Sequence, residues 1–92
     1  MSQNILLKPI GGGTTTARNR EDFVGSDGSG NNGEMNRVFT LSESDDVEIV
    51  EVFLDGVLLV ETSQYTKDNS LKTVTVLQNV FNSQTLSIFY NI

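Results

Sequence analysis

Short apolar stretches alternate with clusters of turn residues along the chain, and one stretch sets the pattern. Two apolar runs meet at Asp55-Gly56 within the segment Val52–Leu59. Asp-Gly between apolar, β-branched segments is typical of a two-residue hairpin turn that has positive φ at both central residues. Glycine adopts this conformation without a steric penalty. The segment therefore predicts a hairpin of strands 47–54 and 57–61 around a type I′ turn.

Further short strands are predicted on both sides of this hairpin. Thr85–Tyr90 alternates, with Leu86, Ile88 and Tyr90 on one face and Thr85, Ser87 and Phe89 on the other. Alternation fails where Val50 follows Ile49, which indicates either burial on both faces or a bulge near Val50. The other predicted elements are a strand over 37–41, a turn over 42–46, an extended pair at Tyr65-Thr66, a turn over 67–70, a strand over 71–77 and a connection over 78–84. Within the connection, Val80 and Phe81 are expected to fill one end of the core.

Strands separated by turn signals every 8–12 residues or so are typical of antiparallel sandwiches and small barrels. No segment has a convincing helical period. We therefore predict an all-β fold, a small antiparallel β-sandwich or partly open barrel, over residues 23–92. Residues 1–22 form an extended N-terminal arm in this prediction, and the charged stretch 17–22 is expected to hold one helical turn.

The arm differs from the module in composition. Its apolar segment Ile5–Ile10 contains Pro9, which confines the segment to an edge strand or a docking arm. The Gly/Thr-rich stretch that follows has the composition of a flexible linker. Basic residues in the arm and acidic residues in the module suggest that the arm reaches a neighbouring copy. We expect contacts with neighbours from six residues of the arm, namely Ile5, Leu6, Leu7, Ile10, Arg18 and Arg20.

Charge and composition exclude several classes of partner. The net charge is −6, whereas nucleic acids and anionic membranes require clustered Lys and Arg, so we expect no nucleic acid and no membrane as partner. The N-terminus lacks the basic region of a secretory signal, and the apolar runs are too short to span a bilayer. There is no cysteine to form a disulfide. A core of about 55–60 residues is marginal without such support, so we expect an oligomer or a larger assembly.

The loop 25–33 carries two patterns that resemble ligand sites. Its last six residues match G-x-G-x-x-G, but a strand follows where a dinucleotide site needs a helix within a βαβ unit. Asp27, Ser29 and Asn31 have the spacing of the first Ca²⁺ ligands, but Val38 stands where a bidentate glutamate is required. We therefore predict a plain loop and no cofactor or metal.

The carboxylates offer little for catalysis. Glu48 and Glu51 could act together with Asp55, and the turn Glu43–Asp46 is an equally weak candidate for a cation. Acids at such positions are usually solvated, and those in the turn also protect a strand edge from aggregation. The chain has no His and no Cys, and so lacks the commonest general base and the thiol nucleophile. We therefore predict that the protein is not an enzyme.

From Phe23 onward, the order of features resembles a small β module found in tail-fibre, tail and other virion proteins of tailed bacteriophages. The matching pieces are Phe23 before the loop 25–33, the strand Val38-Phe39-Thr40-Leu41, the acidic turn Ser42–Asp46, the hairpin Val50–Leu58, Tyr65-Thr66, the strand Val74-Thr75-Val76, the connection 78–84 and the closing strand Leu86–Tyr90.

The resemblance implies a non-enzymatic virion structural protein, made in the host cytoplasm. A capsid decoration or cement protein, or a small head-fibre, neck or tail accessory component, fits a module that stands behind an arm. Such a protein would bind other virion proteins, of capsid or tail, and copies of itself. The alternative is a receptor- or carbohydrate-binding module of a phage tail fibre, in which the loops 25–33 and 62–70 act with Tyr65. Tyr65 and Tyr90 are nevertheless better explained as core aromatics.

Overall fold

Seven strands form two antiparallel sheets on either side of one apolar core. The computed structural model describes residues 18–92. The strands are β1 Asn19–Val24, β2 Arg37–Thr40, β3 Glu48–Leu54, β4 Val57–Leu58, β5 Tyr65–Asp68, β6 Thr73–Val76 and β7 Thr85–Asn91, and a 3₁₀ turn covers Gly25–Asp27. One sheet has the order β1-β7-β3-β4 and the other β2-β6-β5. The all-β prediction is confirmed, and the sheets do not close into a barrel.

Alternate residues of both sheets build the core. In β7, Leu86, Ile88 and Tyr90 are buried while their neighbours face outward, as the alternation predicted. Phe23 of β1 meets Phe39 of β2 edge to face between the sheets, with ring centroids 5.8 Å apart, an arrangement that aromatic pairs favour. The remaining apolar residues of the core are Leu41, Val47, Ile49, Val52, Leu54, Leu59, Tyr65, Val74, Val76 and Val80. No helix within residues 18–92 is long and apolar enough to cross a membrane.

The central hairpin forms as predicted. Asp55 and Gly56 have φ angles of 50° and 81°, as a type I′ turn requires. The register between β3 and β7 shifts between Ile49 and Glu51, so Val50 is the additional residue of a β-bulge. The bulge, and not burial on both faces, explains why the alternation breaks at this point.

Side chains close the edge of β3 that β4 leaves open. β4 pairs only with the last two residues of β3, so the backbone groups of Ile49 need other partners. The amide of Ile49 donates to Asn69 Oδ1 at 2.9 Å, and its carbonyl oxygen accepts from Lys67 Nζ at 2.7 Å. Both partners belong to the opposite sheet or its turn, so these bonds also join the two sheets.

Several details differ from the sequence prediction. Residues 19–22 lie in β1 and not in a helical turn, so the sheet begins within the predicted arm. β4 ends at Leu58, and β5 continues into the predicted turn as far as Asp68. The turn therefore falls later, over 69–72, and the strand predicted over 71–77 is the shorter β6. Val80 is fully buried as predicted, but Phe81 is 51% exposed and does not plug the core. β1 is a strand because the edge of β7 pairs with all six of its residues, and such pairing overrides weak local propensity.

A buried arginine joins two loops at one end of the sandwich. Arg37, the first residue of β2, is only 2% exposed. Its guanidinium donates to the carbonyl oxygens of Ser29 at 2.8 Å and Val80 at 2.9 Å, and to Asn82 Oδ1 at 3.0 Å. No carboxylate within residues 18–92 forms a salt bridge with it. Arg37 therefore acts as a donor to one buried and two partly buried oxygens, and a buried polar atom is costly to leave unpaired.

Two glycine substitutions separate steric conflict from backbone strain. A Cβ at Gly25 would lie 1.9 Å from the carbonyl oxygen of Phe81, whereas a Cβ at Gly56 would meet nothing within 4 Å. We expect Gly56→Ala to lower the free energy of unfolding by about 1 kcal/mol, because alanine is strained at positive φ. Gly25→Ala should lower it by roughly 3 kcal/mol, because the backbone must move. Urea denaturation measures both, and equal losses would contradict this assignment.

Substitution of Arg37 tests its role as a donor. Arg37→Lys keeps the charge but loses the planar fork, and we expect the free energy of unfolding to fall by about 2 kcal/mol because two of the oxygens lose their donor. Arg37→Met removes all of these hydrogen bonds, although the carbonyl oxygen of Val80 keeps the amide of Gly33 as a donor, and it should cost roughly 3 kcal/mol. Arg20→Lys, on the exposed side of β1, is the control and should stay within about 0.5 kcal/mol of wild type. An Arg37→Met protein as stable as wild type would rule out this role.

Candidate functional site

The outer side of the four-stranded sheet presents two phenylalanines to solvent. Phe53 of β3 and Phe89 of β7 pack edge to face, with ring centroids 5.5 Å apart and an interplanar angle of 70°. The guanidinium carbon of Arg20 lies 5.8 Å from the centroid of Phe89, within the range of cation–π attraction. We call this surface the aromatic face, and it consists of the outward side chains of Arg20, Asp22, Glu51, Phe53, Leu58, Ser87 and Phe89.

Strand register builds the aromatic face in two rows. The rows of cross-strand partners are Asp22-Ser87-Phe53-Leu58 and Arg20-Phe89-Glu51. Directly opposed residues have Cβ atoms about 4.5–5.5 Å apart, so side chains within a row are neighbours. Leu58 is 51% exposed and both phenylalanines are half-buried. The face is therefore a continuous apolar strip with charged groups at its border.

The bulge at Val50 decides which residues of β3 belong to this face. Strict alternation from the buried Ile49 would turn Glu51 and Phe53 toward the core. The additional residue reverses the phase, so that Val52 is buried and Glu51 and Phe53 face outward. Alternation predicts that Phe89 lies on the face of β7 opposite to Leu86 and Ile88, but it assigns no face to Phe53, because the side of Phe53 depends on where the bulge lies.

Arg18 and Arg20, predicted to contact a neighbour, both lie at the aromatic face. Arg18 donates to Glu51, and Arg20 Nη2 donates to Asp22 Oδ2 at 3.0 Å. Asp22 also accepts from Ser87 Oγ at 2.7 Å. Exposed ion pairs of this kind contribute little to stability, so both arginines can exchange their partners for acids on another surface. The predicted anchors Ile5, Leu6, Leu7 and Ile10 lie outside the described residues.

Two shallow hollows flank the hairpin turn. One, of about 200 Å³, lies on the aromatic face and is lined by Arg20, Phe53, Gly56, Ser87 and Phe89. The other, of about 300 Å³, is lined by Leu54, Asp55, Val57, Leu59, Gln64, Gln78 and Gln84. Sites for small molecules are enclosed clefts of roughly 300–1,000 Å³. An open hollow of this size suits one side chain of a protein partner.

The three loop residues with calcium-like spacing have structural hydrogen bonds. Asp27 Oδ2 accepts from the amide of Val24, and Ser29 Oγ accepts from the amide of Val38, each at 2.9 Å. The amide and side chain of Asn31 donate to the carboxylate of Glu34, and these bonds lower the pKa of that carboxyl. Within residues 18–92, no cluster of three or more acidic side chains could hold a metal ion.

Both tyrosines are core residues, as predicted. Tyr65 is 3% exposed and Tyr90 is 6% exposed, so the ring of Tyr65 cannot stack on a sugar as the carbohydrate-binding alternative requires. Burial raises the pKa of both phenols, and the nearby charge of Glu43 raises that of Tyr90 further. The hydroxyl of Tyr90 donates to Glu43 Oε1 at 3.3 Å, which ties the acidic turn to β7.

Asp55 fixes the hairpin turn to β7. Its carboxylate accepts from the amide of Thr85 and from Gln84 Nε2, both at 2.9 Å. These hydrogen bonds lower the pKa of Asp55 below its ordinary value of 3.8. Glu51, one of the two glutamates that could act with Asp55 in catalysis, accepts instead from Arg18. Glu51 and Asp55 thus have separate structural partners.

Comparison with known proteins assigns no family. No protein-family model, no curated protein and no solved structure matches this chain. The aromatic face is therefore the candidate site on the basis of its own geometry.

The pH dependence of stability tests the role of Asp55. Because its pKa is lowered in the folded state, the ionised carboxylate stabilises the fold above its ordinary pKa, and this contribution is lost as pH falls through the lowered value. We expect the stability gap between wild type and Asp55→Asn to be largest near about pH 6 and to shrink toward about pH 3. Urea unfolding across this range measures the gap. Asp46→Asn, in an exposed turn, removes the same charge and is the control; a gap for Asp55→Asn that does not vary with pH would refute the assignment.

Proposed function

We propose that the protein is a non-enzymatic structural component of a tailed-bacteriophage virion, which binds neighbouring virion proteins through the aromatic face and the N-terminal arm. In the virion, it would be a capsid decoration or cement protein, or a small accessory component of the head fibre, neck or tail. The order of sequence features from Phe23 onward supports this proposal. So does the two-sheet, all-β architecture in which those features lie.

The observation that carries the proposal is the outward pair Phe53 and Phe89. Aromatic residues and arginine are enriched where protein interfaces have most of their binding energy. Full burial of a large apolar side chain contributes about 1.5–3 kcal/mol relative to an exposed one, and the half-buried rings still have part of this to gain. Leu58 extends the apolar strip to the edge strand β4. A neighbour that covers the face would thus gain from three adjacent side chains.

The charges at the border of the face would govern orientation. Arg18 and Arg20 lie toward β1, while Asp22 and Glu51 lie beside them. Charges of both signs around an apolar centre fix the orientation of a bound partner and disfavour incorrect partners. They contribute more to this specificity than to affinity. The arm enters at the same border, because Arg18 directly precedes β1. Arm and sheet surface would therefore act on one neighbour together.

Recovery on virus particles tests the proposal. The tagged full chain is expressed in infected host cells, and its amount on particles is measured by mass spectrometry after density-gradient purification. We expect wild type on the particles, and we expect Phe53→Ser/Phe89→Ser to reduce recovery by about tenfold or more, because the apolar centre of the interface is lost.

The control is Leu71→Ser, which removes an apolar side chain that is 67% exposed and lies in the turn between β5 and β6. Its recovery should equal that of wild type. Circular dichroism first establishes that each variant is folded. Absence of the wild-type chain from particles would overturn the proposal, and undiminished recovery of the phenylalanine variant would remove the aromatic face from it.

A further inference from the structure

The outer surfaces of the two sheets differ in chemistry. The outward side chains of the three-stranded sheet are mostly threonines, which are compatible with water, and comprise Val38, Thr40, Thr66, Asp68, Thr73 and Thr75. The four-stranded sheet presents the phenylalanine pair and Leu58 of the aromatic face. No other element of residues 18–92 covers this face. A contiguous apolar surface rimmed by polar residues is typical of a site that another segment or protein covers.

The chain enters the described structure at the border of this face. Arg18 directly precedes the edge strand β1, and its guanidinium reaches across β7 to Glu51 on β3. The residue that connects the N-terminal segment to the sheet is therefore already bonded to the aromatic face.

Chain length allows the N-terminal segment to reach every part of the face. Residues 11–17 separate the apolar segment Ile5–Ile10 from Arg18, and they include three glycines. Seven extended residues span up to about 25 Å. Four strands at about 4.8 Å spacing make the sheet about 14 Å wide between its edge strands. The connection is thus longer than the distance it has to cover.

The segment and the face are complementary in chemistry. The segment contains four apolar side chains and the cation Lys8. The face offers two aromatic rings and Leu58, with the carboxylates of Asp22 and Glu51 beside them. All 12 acidic residues lie within residues 18–92, and Lys8 is the only charged side chain in residues 1–17. Electrostatic attraction therefore favours this segment over a second copy of the acidic module.

We propose that Ile5–Ile10 folds back over the aromatic face of its own chain and covers Phe53 and Phe89. Its own chain is the favoured acceptor because a short tether gives an effective concentration in the millimolar range or so. Docking within one molecule also avoids the translational and rotational entropy that association of two chains costs. This contact does not depend on the proposed virion function. If both hold, a neighbour that binds the aromatic face has to displace the segment or take it over.

Disulfide trapping in the purified full chain tests this proposal, because the chain has no cysteine of its own. The double variant Leu6→Cys/Ser87→Cys places one thiol in the segment and one beside Phe53 and Phe89. We expect a disulfide within the monomer, formed about tenfold faster than in the control Leu6→Cys/Thr75→Cys. The control places its second thiol at the outer side of β6, on the opposite sheet. Intact mass and non-reducing gel electrophoresis measure both rates.

Three results are decisive. Equal rates for Ser87 and Thr75 would overturn the proposal. Faster disulfide formation between separate Leu6→Cys and Ser87→Cys chains than within the double variant would also overturn it, in favour of a second copy. If Ser87→Cys disturbs folding, Leu6→Cys/Asp22→Cys replaces it with the same expected result, since Asp22 lies in the same row on the exposed edge strand. None of these measurements involves particles, so this proposal and the virion function fail separately.

Discussion

One end of the sandwich, formed by the loop 25–33 and the connection 78–84, depends on one interaction. The buried guanidinium of Arg37 donates hydrogen bonds to oxygens of both segments. Arg37 and Val80 are 43 residues apart in sequence, and the chain has no cysteine that could form a disulfide between the two segments. With the guanidinium in place, the Gly-rich loop lies so close to Phe39 that a Cβ at Gly28 would come within 2.6 Å of its ring. The Gly-rich loop thereby covers the core at Phe39.

Sequence pattern predicted those elements whose own residues determine them. Strict alternation located β7, and the Asp55-Gly56 step located the hairpin, because a type I′ turn accepts few other residues. β1 was missed because Arg20 and Asp22 have no strong β preference, and only the free edge of β7 makes their segment a strand. Arg37 was missed for a related reason: its burial depends on oxygens supplied by loops whose positions no local pattern specifies.

The candidate site was predictable only in part. Alternation separated Phe89 from the face of Leu86 and Ile88, and Arg18 and Arg20 were expected to contact a neighbour. The rings of Phe89 and Phe53 are in contact because of the register between β7 and β3, which are 30 residues and more apart in sequence. This register is determined by the packing of the whole sheet. The carbohydrate-binding alternative relied on Tyr65, which the core requires instead. Residue types and alternation thus indicated which side chains could take part in a site. They did not indicate which of these side chains are neighbours across strands.

The bulge at Val50 has an evolutionary consequence. Along β3, the bulge absorbs one additional residue without changing which of the following side chains face outward. Deletion of Val50 would leave a regular strand, in which Ile49 and Val52 still point inward and Glu51 and Phe53 still point outward. Homologous chains could therefore lose this codon and keep the aromatic face. A gap at this position in an alignment would mark a change in the twist of the strand, and not a change in the surface that it presents.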